Sequence, residues 1–153
     1  MKKGIISIFV LVCCGFMFTG CEKEAKLTID PYMTATIGSY TFNAEYIQPA
    51  LLKSQINDTG TTLIITGYDR ATHDTMIVSV TKYKGLPGTF SIVQGQANAS
   101  YRHNGVRYDA TGGIVAIKEV GSNTLTGYYN FSTPVSTVSI SSGTYVCGKP
   151  WDY

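Results

Sequence analysis

From Met33 onward, β-branched and aromatic residues alternate with polar ones, and turn-forming residues interrupt the alternation every seven to twelve positions. Successive side chains on an extended strand point to opposite faces, so this period of two fits strands with one buried face and denies a helix its continuous apolar stripe. Short strands at such spacing define a sandwich or a barrel. The pattern predicts strands at 33–37, 40–46, 61–68, 75–82, 89–94, 97–103, 106–111, 114–119, 123–130, 135–140 and 143–147, separated by turns such as Gly38-Ser39, Asp58-Thr59-Gly60, Gly112-Gly113 and Gly121-Ser122. Asn104-Gly105 is the strongest of the turns, because a tight hairpin needs two residues at positive φ and this dipeptide supplies both. Ala97, Ala99 and Tyr101 before it, and Val106, Tyr108 and Ala110 after it, each fall on one face. Only Tyr46 to Asn57 breaks the pattern. Leu51-Leu52 and Ile56 there have roughly helical spacing, which predicts a single helical turn or a packed loop. The expected fold class is all-β, an antiparallel β-sandwich or partly closed barrel of about 9–11 short strands.

The first residues form an address rather than part of that fold. Met1-Lys2-Lys3 is a short positive region, Ile5 to Phe18 an apolar core, and Phe18-Thr19-Gly20-Cys21 follows, which is the layout of a secretory signal peptide. The apolar stretch is marginal for spanning a bilayer, which takes about 20 residues. Phe-Thr-Gly-Cys resembles the bacterial lipobox, with Phe18 where Leu is usual. That resemblance implies diacylation of Cys21, cleavage between Gly20 and Cys21, and Cys21 as the mature N-terminus. Glu22 rather than Asp at the next position implies the outer membrane, and Glu22-Lys23-Glu24 is similar to a surface-export tag. The expected organisation is a lipoprotein signal peptide at 1–20, a lipidated tether at 21–32 and a single all-β domain at 33–153. The expected location is the cell envelope, anchored by lipid to the outer membrane and exposed at the cell surface.

Processing also changes the charge and the cysteines. The chain carries twelve Lys and Arg against ten Asp and Glu. Losing Lys2 and Lys3 leaves ten of each, so the mature domain has no basic field and no nucleic-acid partner is expected. Of Cys13, Cys14, Cys21 and Cys147, only the last two survive, and a lipidated Cys21 leaves Cys147 without a disulfide partner. Cys147 shares a strand face with Tyr145 and reads as a buried, inert thiol.

The strand and turn residues carry a further resemblance. Met33 to Ala44, Ile64 to Tyr68, Gly88-Thr89-Phe90, Ala99-Ser100-Tyr101, Gly112 to Val115 and Leu125 to Tyr128 are similar to a family of small cell-envelope lipoproteins from gut-dwelling Gram-negative anaerobes, described by a domain of unknown function. The resemblance implies a fold and a location and supplies no active site. A fainter internal echo places Thr66-Gly67-Tyr68 and Val78-Ser79-Val80 sixty residues before Thr126-Gly127-Tyr128 and Val138-Ser139-Ile140, as a duplicated strand unit would.

Chemistry-bearing patterns are sparse. His73 lies between Asp69 and Asp74 and could join them in a metal or acid/base cluster, yet no further ligands follow at a recognisable spacing. His103, beside a hairpin tip, is weaker still. No spacing selects a catalytic pair among the carboxylates, and no nucleophile elbow, phosphate loop or dinucleotide fingerprint occurs. No catalytic residue, metal or cofactor is therefore expected. The eleven Tyr and single Trp all lie after residue 21 and are the better lead, since Tyr offers a flat apolar face with a polar tip. Tyr128, Tyr129 and Trp151 are the candidate ligand contacts; the first two are adjacent on one strand, so they must face opposite ways. The leading expectation is a non-catalytic binding or accessory module for a glycan, a peptide or an envelope partner. Alternatives are a lipocalin-like barrel holding a small apolar ligand in space left by Ala97, Ala99, Ala110 and Ala116, and a hydrolase with an unrecognised site.

Replacing Cys21 by Ala is expected to abolish fatty-acid labelling in cells and to leave the precursor uncut; labelling that persists would mean that another cysteine carries the lipid.

Overall fold

The computed structural model describes residues 30–53 and 61–150. They form eleven strands: β1 (Tyr32–Ile37), β2 (Tyr40–Ala44), β3 (Tyr46–Lys53), β4 (Thr61–Asp69), β5 (Asp74–Tyr83), β6 (Gly88–Ser91), β7 (Ala97–His103), β8 (Val106–Asp109), β9 (Gly112–Val120), β10 (Thr124–Ser132) and β11 (Ile140–Gly148). Six of them make one sheet in the order β2-β1-β11-β10-β9-β6, and five make a second in the order β3-β4-β5-β7-β8. Every pairing is antiparallel. The two sheets stay separate, so the domain is a sandwich and not a closed barrel.

Alternation puts the core where the sequence expects it. Met33, Ala35 and Ile37 of β1, Leu63 and Ile65 of β4, Met76, Val78 and Val80 of β5, and Ala97, Ala99 and Tyr101 of β7 are all buried between the sheets. Asn104 and Gly105 both take positive φ, 50° and 80°, and close the β7–β8 hairpin. The first and last strands pair with each other, Tyr32 opposite Val146, so both ends of the domain are held in the same sheet.

Two tyrosines and two glycines pack reciprocally between β10 and β11. Gly127 is paired with Tyr145 and Tyr129 with Gly143, so each ring lies across a glycine on the neighbouring strand. The rings stack at 6.4 Å and 27° from parallel. Both phenols are buried, and both hydroxyls donate to backbone carbonyls: Tyr129 to Thr34 at 3.1 Å and Tyr145 to Ala116 at 2.9 Å. A Cβ at Gly127 would overlap the Ala116 carbonyl oxygen and the Tyr145 hydroxyl, and one at Gly143 would lie 2.5 Å from the Tyr129 ring.

The structure corrects several sequence expectations. Tyr46–Lys53 is strand β3 and not a helical turn or loop, at the edge of the five-stranded sheet. Pro49 disguises it, since Pro has no N–H to donate to a ladder and is confined to such edges. The strand expected at 40–46 breaks at Glu45, where the chain passes from one sheet to the other. Of the strand expected at 135–140 only Ile140 is extended, as the first residue of β11; residues 135–139 precede it. The buried Thr133 hydroxyl lies 3.1 Å from the Val135 carbonyl and 2.9 Å from that of Val138, and it accepts the Val135 N–H, which winds the segment into a turn. Gly112 and Gly113 lie inside β9, where Gly113 runs hard against the Asn130 backbone. The sixty-residue echo joins unlike places, because Val78-Ser79-Val80 is the middle of β5 while Val138 and Ser139 lie outside any strand.

Gly127→Ala is expected to destabilise the domain by about 3 kcal/mol, a fall in Tm on the order of 10 °C. Tyr129→Phe, which keeps the ring and loses one hydrogen bond, should cost about 1 kcal/mol. Thermal unfolding followed by circular dichroism checks both, and a Gly127→Ala protein melting with the wild type would contradict the close packing described.

Candidate functional site

Four turns meet at one end of the sandwich: Gly38-Ser39, residues 70–73, Asn104-Gly105 and the segment 133–139. The strands that lead into them bring a set of polar side chains to the core face. On β5 the phase that buries Met76, Val78 and Val80 also turns Asp74 inward, where it is fully buried. Asp69, opposite it across the β4–β5 hairpin, is 6% exposed. Two carboxylates inside one end of an apolar core are costly unless hydrogen-bonded, and both are.

Asp69 caps the hairpin turn. Its Oδ1 accepts the backbone N–H groups of Ala71 at 2.9 Å and Thr72 at 3.3 Å, and its Oδ2 accepts the Tyr40 hydroxyl at 3.3 Å. Burial raises the Asp69 pKa, but the N–H groups of Ala71, Thr72 and Asn43 and the Tyr40 hydroxyl outweigh it, and the net direction is down. The Tyr40 hydroxyl also lies 3.2 Å from Thr72 Oγ1. Its own pKa is raised, by burial first and then by the charges of Asp69 and Asp74 against the Thr72 bond.

Asp74 accepts the Tyr101 hydroxyl at 2.6 Å and faces His103 Nδ1 at 2.8 and 3.0 Å. An ionised Asp74 places the imidazole proton on Nδ1, and Nε2 is then the acceptor for the Asn104 amide at 3.0 Å. Burial, followed by the bond to Asp74, drives the Tyr101 phenol pKa far up, so Tyr101 is a fixed donor. Its ring stacks on His103 at 6.0 Å and on Tyr108, its partner across the β7–β8 pair, at 6.3 Å. Phe42 meets it edge-on from the other sheet.

In front of this cluster is a cleft of about 290 Å³ lined by Ile37, Tyr40, Tyr101, His103, Tyr108 and Val138. It combines both sheets: Ile37, Tyr40 and Val138 come from or beside the six-stranded one, and Tyr101, His103 and Tyr108 belong to the five-stranded one. The Asp69 and Asp74 carboxylates stand behind its wall, each one hydrogen bond away.

The residues singled out in the sequence are distributed otherwise. Tyr128 is 41% exposed on the outer face of the six-stranded sheet, away from the cleft. Tyr129 is corrected from ligand contact to core residue, being 1% exposed with its hydroxyl bound to Thr34. Gly20, Cys21 and Trp151 lie outside the described residues. His73 does not join Asp69 and Asp74; it takes φ of 59° in the turn, and its Nδ1 meets the Tyr68 hydroxyl at 2.8 Å. Asp74 meets His103 instead. The expected lipocalin-like barrel is corrected by the two separate sheets, between which Ala97 and Ala99 pack and Ala110 is partly buried; none of these, nor the buried Ala116, lines the cleft. Cys147 is fully buried, and burial pushes its thiol up to about 12, far from a nucleophile's range. The cleft was foreshadowed only by phase. Tyr101 was already on the inward face with Ala97 and Ala99, and two residues on, His103 shares it.

Comparison of the chain with protein-family models, with curated proteins and with solved structures gives no match.

Because the Asp69 pKa is lowered on folding, its stabilisation is complete above the unfolded value of 3.8 and is lost as pH falls through the folded value. Asp69→Asn keeps the turn's hydrogen-bond acceptor without the charge. The stability advantage of the wild type over this variant, from denaturant unfolding, should therefore hold at neutral pH and shrink below about pH 4. An advantage that grows on acidification would reverse the assignment.

Proposed function

We propose that the chain is an outer-membrane lipoprotein facing the cell exterior, whose domain is a non-catalytic binding module with its ligand in the tyrosine cleft. The ligand is a single ring or side chain offered by a glycan, a peptide or an envelope partner. The observation that carries this reading is the cleft itself, a concave surface that offers the half-buried Tyr40 and Tyr108 and the polar edge of His103, with Tyr101 buried behind them. Tyrosine faces of this kind take sugar rings and side chains at small entropic cost.

Orientation supports the anchoring part of the proposal. β1 begins at Tyr32, next to the tether expected at 21–32, and ends at Ile37 in the cleft wall. A strand of six residues spans about 20 Å, so the cleft lies at the end of β1 opposite Tyr32. A domain held by Cys21 then presents the cleft away from the bilayer. Lys2-Lys3, the apolar run and Phe18-Thr19-Gly20-Cys21 supply the anchor itself.

The Asp74–His103 pair favours a second reading, a hydrolase, since a carboxylate-oriented imidazole is half of a nucleophile's activating machinery. The remaining half is missing among the described residues. His103 Nε2 is met by the Asn104 amide rather than by a hydroxyl or thiol. Asp69 and Asp74 stand behind the wall with their oxygens already bonded, which ill suits a pair of glycosidic carboxylates. Binding is the reading that uses every group as it stands.

The full chain in detergent, titrated against a panel of monosaccharides and amino-acid derivatives by ligand-observed NMR, tests the proposal. Tyr108→Ala should weaken the selected ligand by about tenfold, the loss of roughly 1.4 kcal/mol of ring contact, while Tyr128→Ala leaves it unchanged. Loss of binding on Tyr128→Ala with none on Tyr108→Ala would move the site to the outer sheet face and overturn the cleft.

A further inference from the structure

The five-stranded sheet carries on its outer face a row of side chains that the cleft does not use. Register places Tyr46 opposite Tyr68, Tyr68 opposite Thr75, Thr75 opposite Arg102 and Arg102 opposite Arg107. All five turn away from the core, because Ile47, Asp69, Asp74 and Tyr101, one position along their strands, are buried between the sheets, and Tyr108 packs against them. The row crosses β3, β4, β5, β7 and β8, four strand spacings or about 19 Å. One end of it is aromatic and the other cationic.

The cationic end carries a cost to folding. The Ala110 N–H donates to the Ala99 carbonyl at 2.9 Å, and from there hydrogen-bonded pairs alternate along the hairpin, at 101 with 108 and 103 with 106. Arg102 and Arg107 form the unbonded pair between these two, where opposed side chains stand closest. Like charges so opposed destabilise a sheet. Arg107 is offset by Asp109, which meets its Nε at 2.6 Å. Arg102 has no such partner: it is exposed and makes no hydrogen bond or ion pair among the described residues. The parallel row from Gln48 through Thr66, Ile77 and Ser100 to Asp109 brings no second carboxylate. An anion seated between the two guanidiniums removes their repulsion and fits the planar fork of donors that each presents.

The aromatic end selects the kind of anion. Tyr46 is 53% exposed, and Tyr68 beside it is half-buried, with its hydroxyl held by His73 Nδ1 at 2.8 Å. Adjacent tyrosines on an open sheet offer flat apolar surface with polar tips, which suits the C–H faces of sugar rings. A peptide is taken by a groove or along a free strand edge, whereas this row runs across the strands. We infer that the row is a binding surface for an acidic oligosaccharide, a chain of uronic acid rings lying across the strands. One carboxylate sits between Arg102 and Arg107, and rings lie against Tyr46 and Tyr68. Binding is non-covalent and independent of the cleft, whose Tyr101, His103 and Tyr108 are on the other face of β7 and β8.

Trigalacturonate and its methyl ester, which keeps the rings and removes the charges, are titrated at low salt against the full chain in detergent. The acid should bind roughly tenfold tighter than the ester or better, and high salt should erase most of that difference. Arg102→Gln, at an exposed position where it relieves the opposed charges, should weaken the acid about tenfold and leave the ester unchanged. Tyr46→Ala should weaken both about threefold, while Tyr128→Ala, on the outer face of the other sheet, changes neither. Equal binding of acid and ester, or an Arg102→Gln protein that binds the acid as the wild type does, would overturn the anionic surface and leave the cleft proposal standing. Binding of triglutamate as tight as that of trigalacturonate would overturn the sugar in favour of an acidic peptide. Loss of the acid on Tyr108→Ala and not on Arg102→Gln would place it in the cleft. No binding of the acid at all would overturn this surface alone.

Discussion

The reciprocal pairing of Tyr129 with Gly143 and of Tyr145 with Gly127 is the constraint from which much of the rest follows. Each ring occupies the space that a Cβ on the neighbouring strand would fill, so β10 and β11 have only one register in which both rings fit. Buried phenols need acceptors, and theirs are the carbonyls of Thr34 on β1 and Ala116 on β9. Two side chains thereby tie four adjacent strands of the six-stranded sheet. The hydroxyls also draw on irregularities in the ladders. The register of β9 against β10 shifts at Thr126–Gly127, and that of β11 shifts against both neighbours around Ser142, which sits at φ of 51°.

That shift reaches the cleft end of the molecule. By absorbing extra residues at Ser141–Ser142, β11 brings Ile140 opposite both Ile37 and Phe131. The segment before it is then free to turn around the Thr133 hydroxyl and to set Val138 beside Ile37. One wall of the cleft is thus a by-product of core packing in the middle of the sheet. The opposite wall comes from a simpler source, the inward phase of β7 carried two residues past the apolar core to His103.

What could be read from the residues divides along the same line. Strands with strict alternation, such as those holding Met76, Val78 and Val80 or Ala97, Ala99 and Tyr101, were legible because a period of two admits one orientation. The Asn104-Gly105 hairpin was legible because its backbone chemistry is local. β3 was not, since Pro49 and the Leu51-Leu52 pair obscure an edge strand whose partner alone makes it extended. The fate of 135–140 was hidden in a long-range balance between a β-branched sequence and one buried threonine hydroxyl. Tyr128 and Tyr129 were placed on opposite faces by alternation, but only packing tells which of the two is inside. The Asp74–His103 contact joins residues 29 apart in sequence through a β5–β7 pairing that skips β6, and no spacing rule encodes it.

The two buried carboxylates carry a cost to folding that their partners offset in different ways. A core end filled by Leu or Val in place of Asp69 and Asp74 would avoid the desolvation cost, as buried polar clusters exchanged for apolar ones usually do. Asp69 has a structural reason to stay, because its oxygen organises the turn after β4. Asp74 has none of that kind: its partners are two side chains, Tyr101 and His103, and both face the cleft. Its hydrogen bonds fix the ring planes and the tautomer of the wall rather than the course of the backbone. A fully buried carboxylate whose bonded partners both line one cleft sets the geometry of that cleft's wall. The same strand geometry puts that cleft at the end of β1 opposite Tyr32, beside the turns that close the β4–β5 and β7–β8 hairpins.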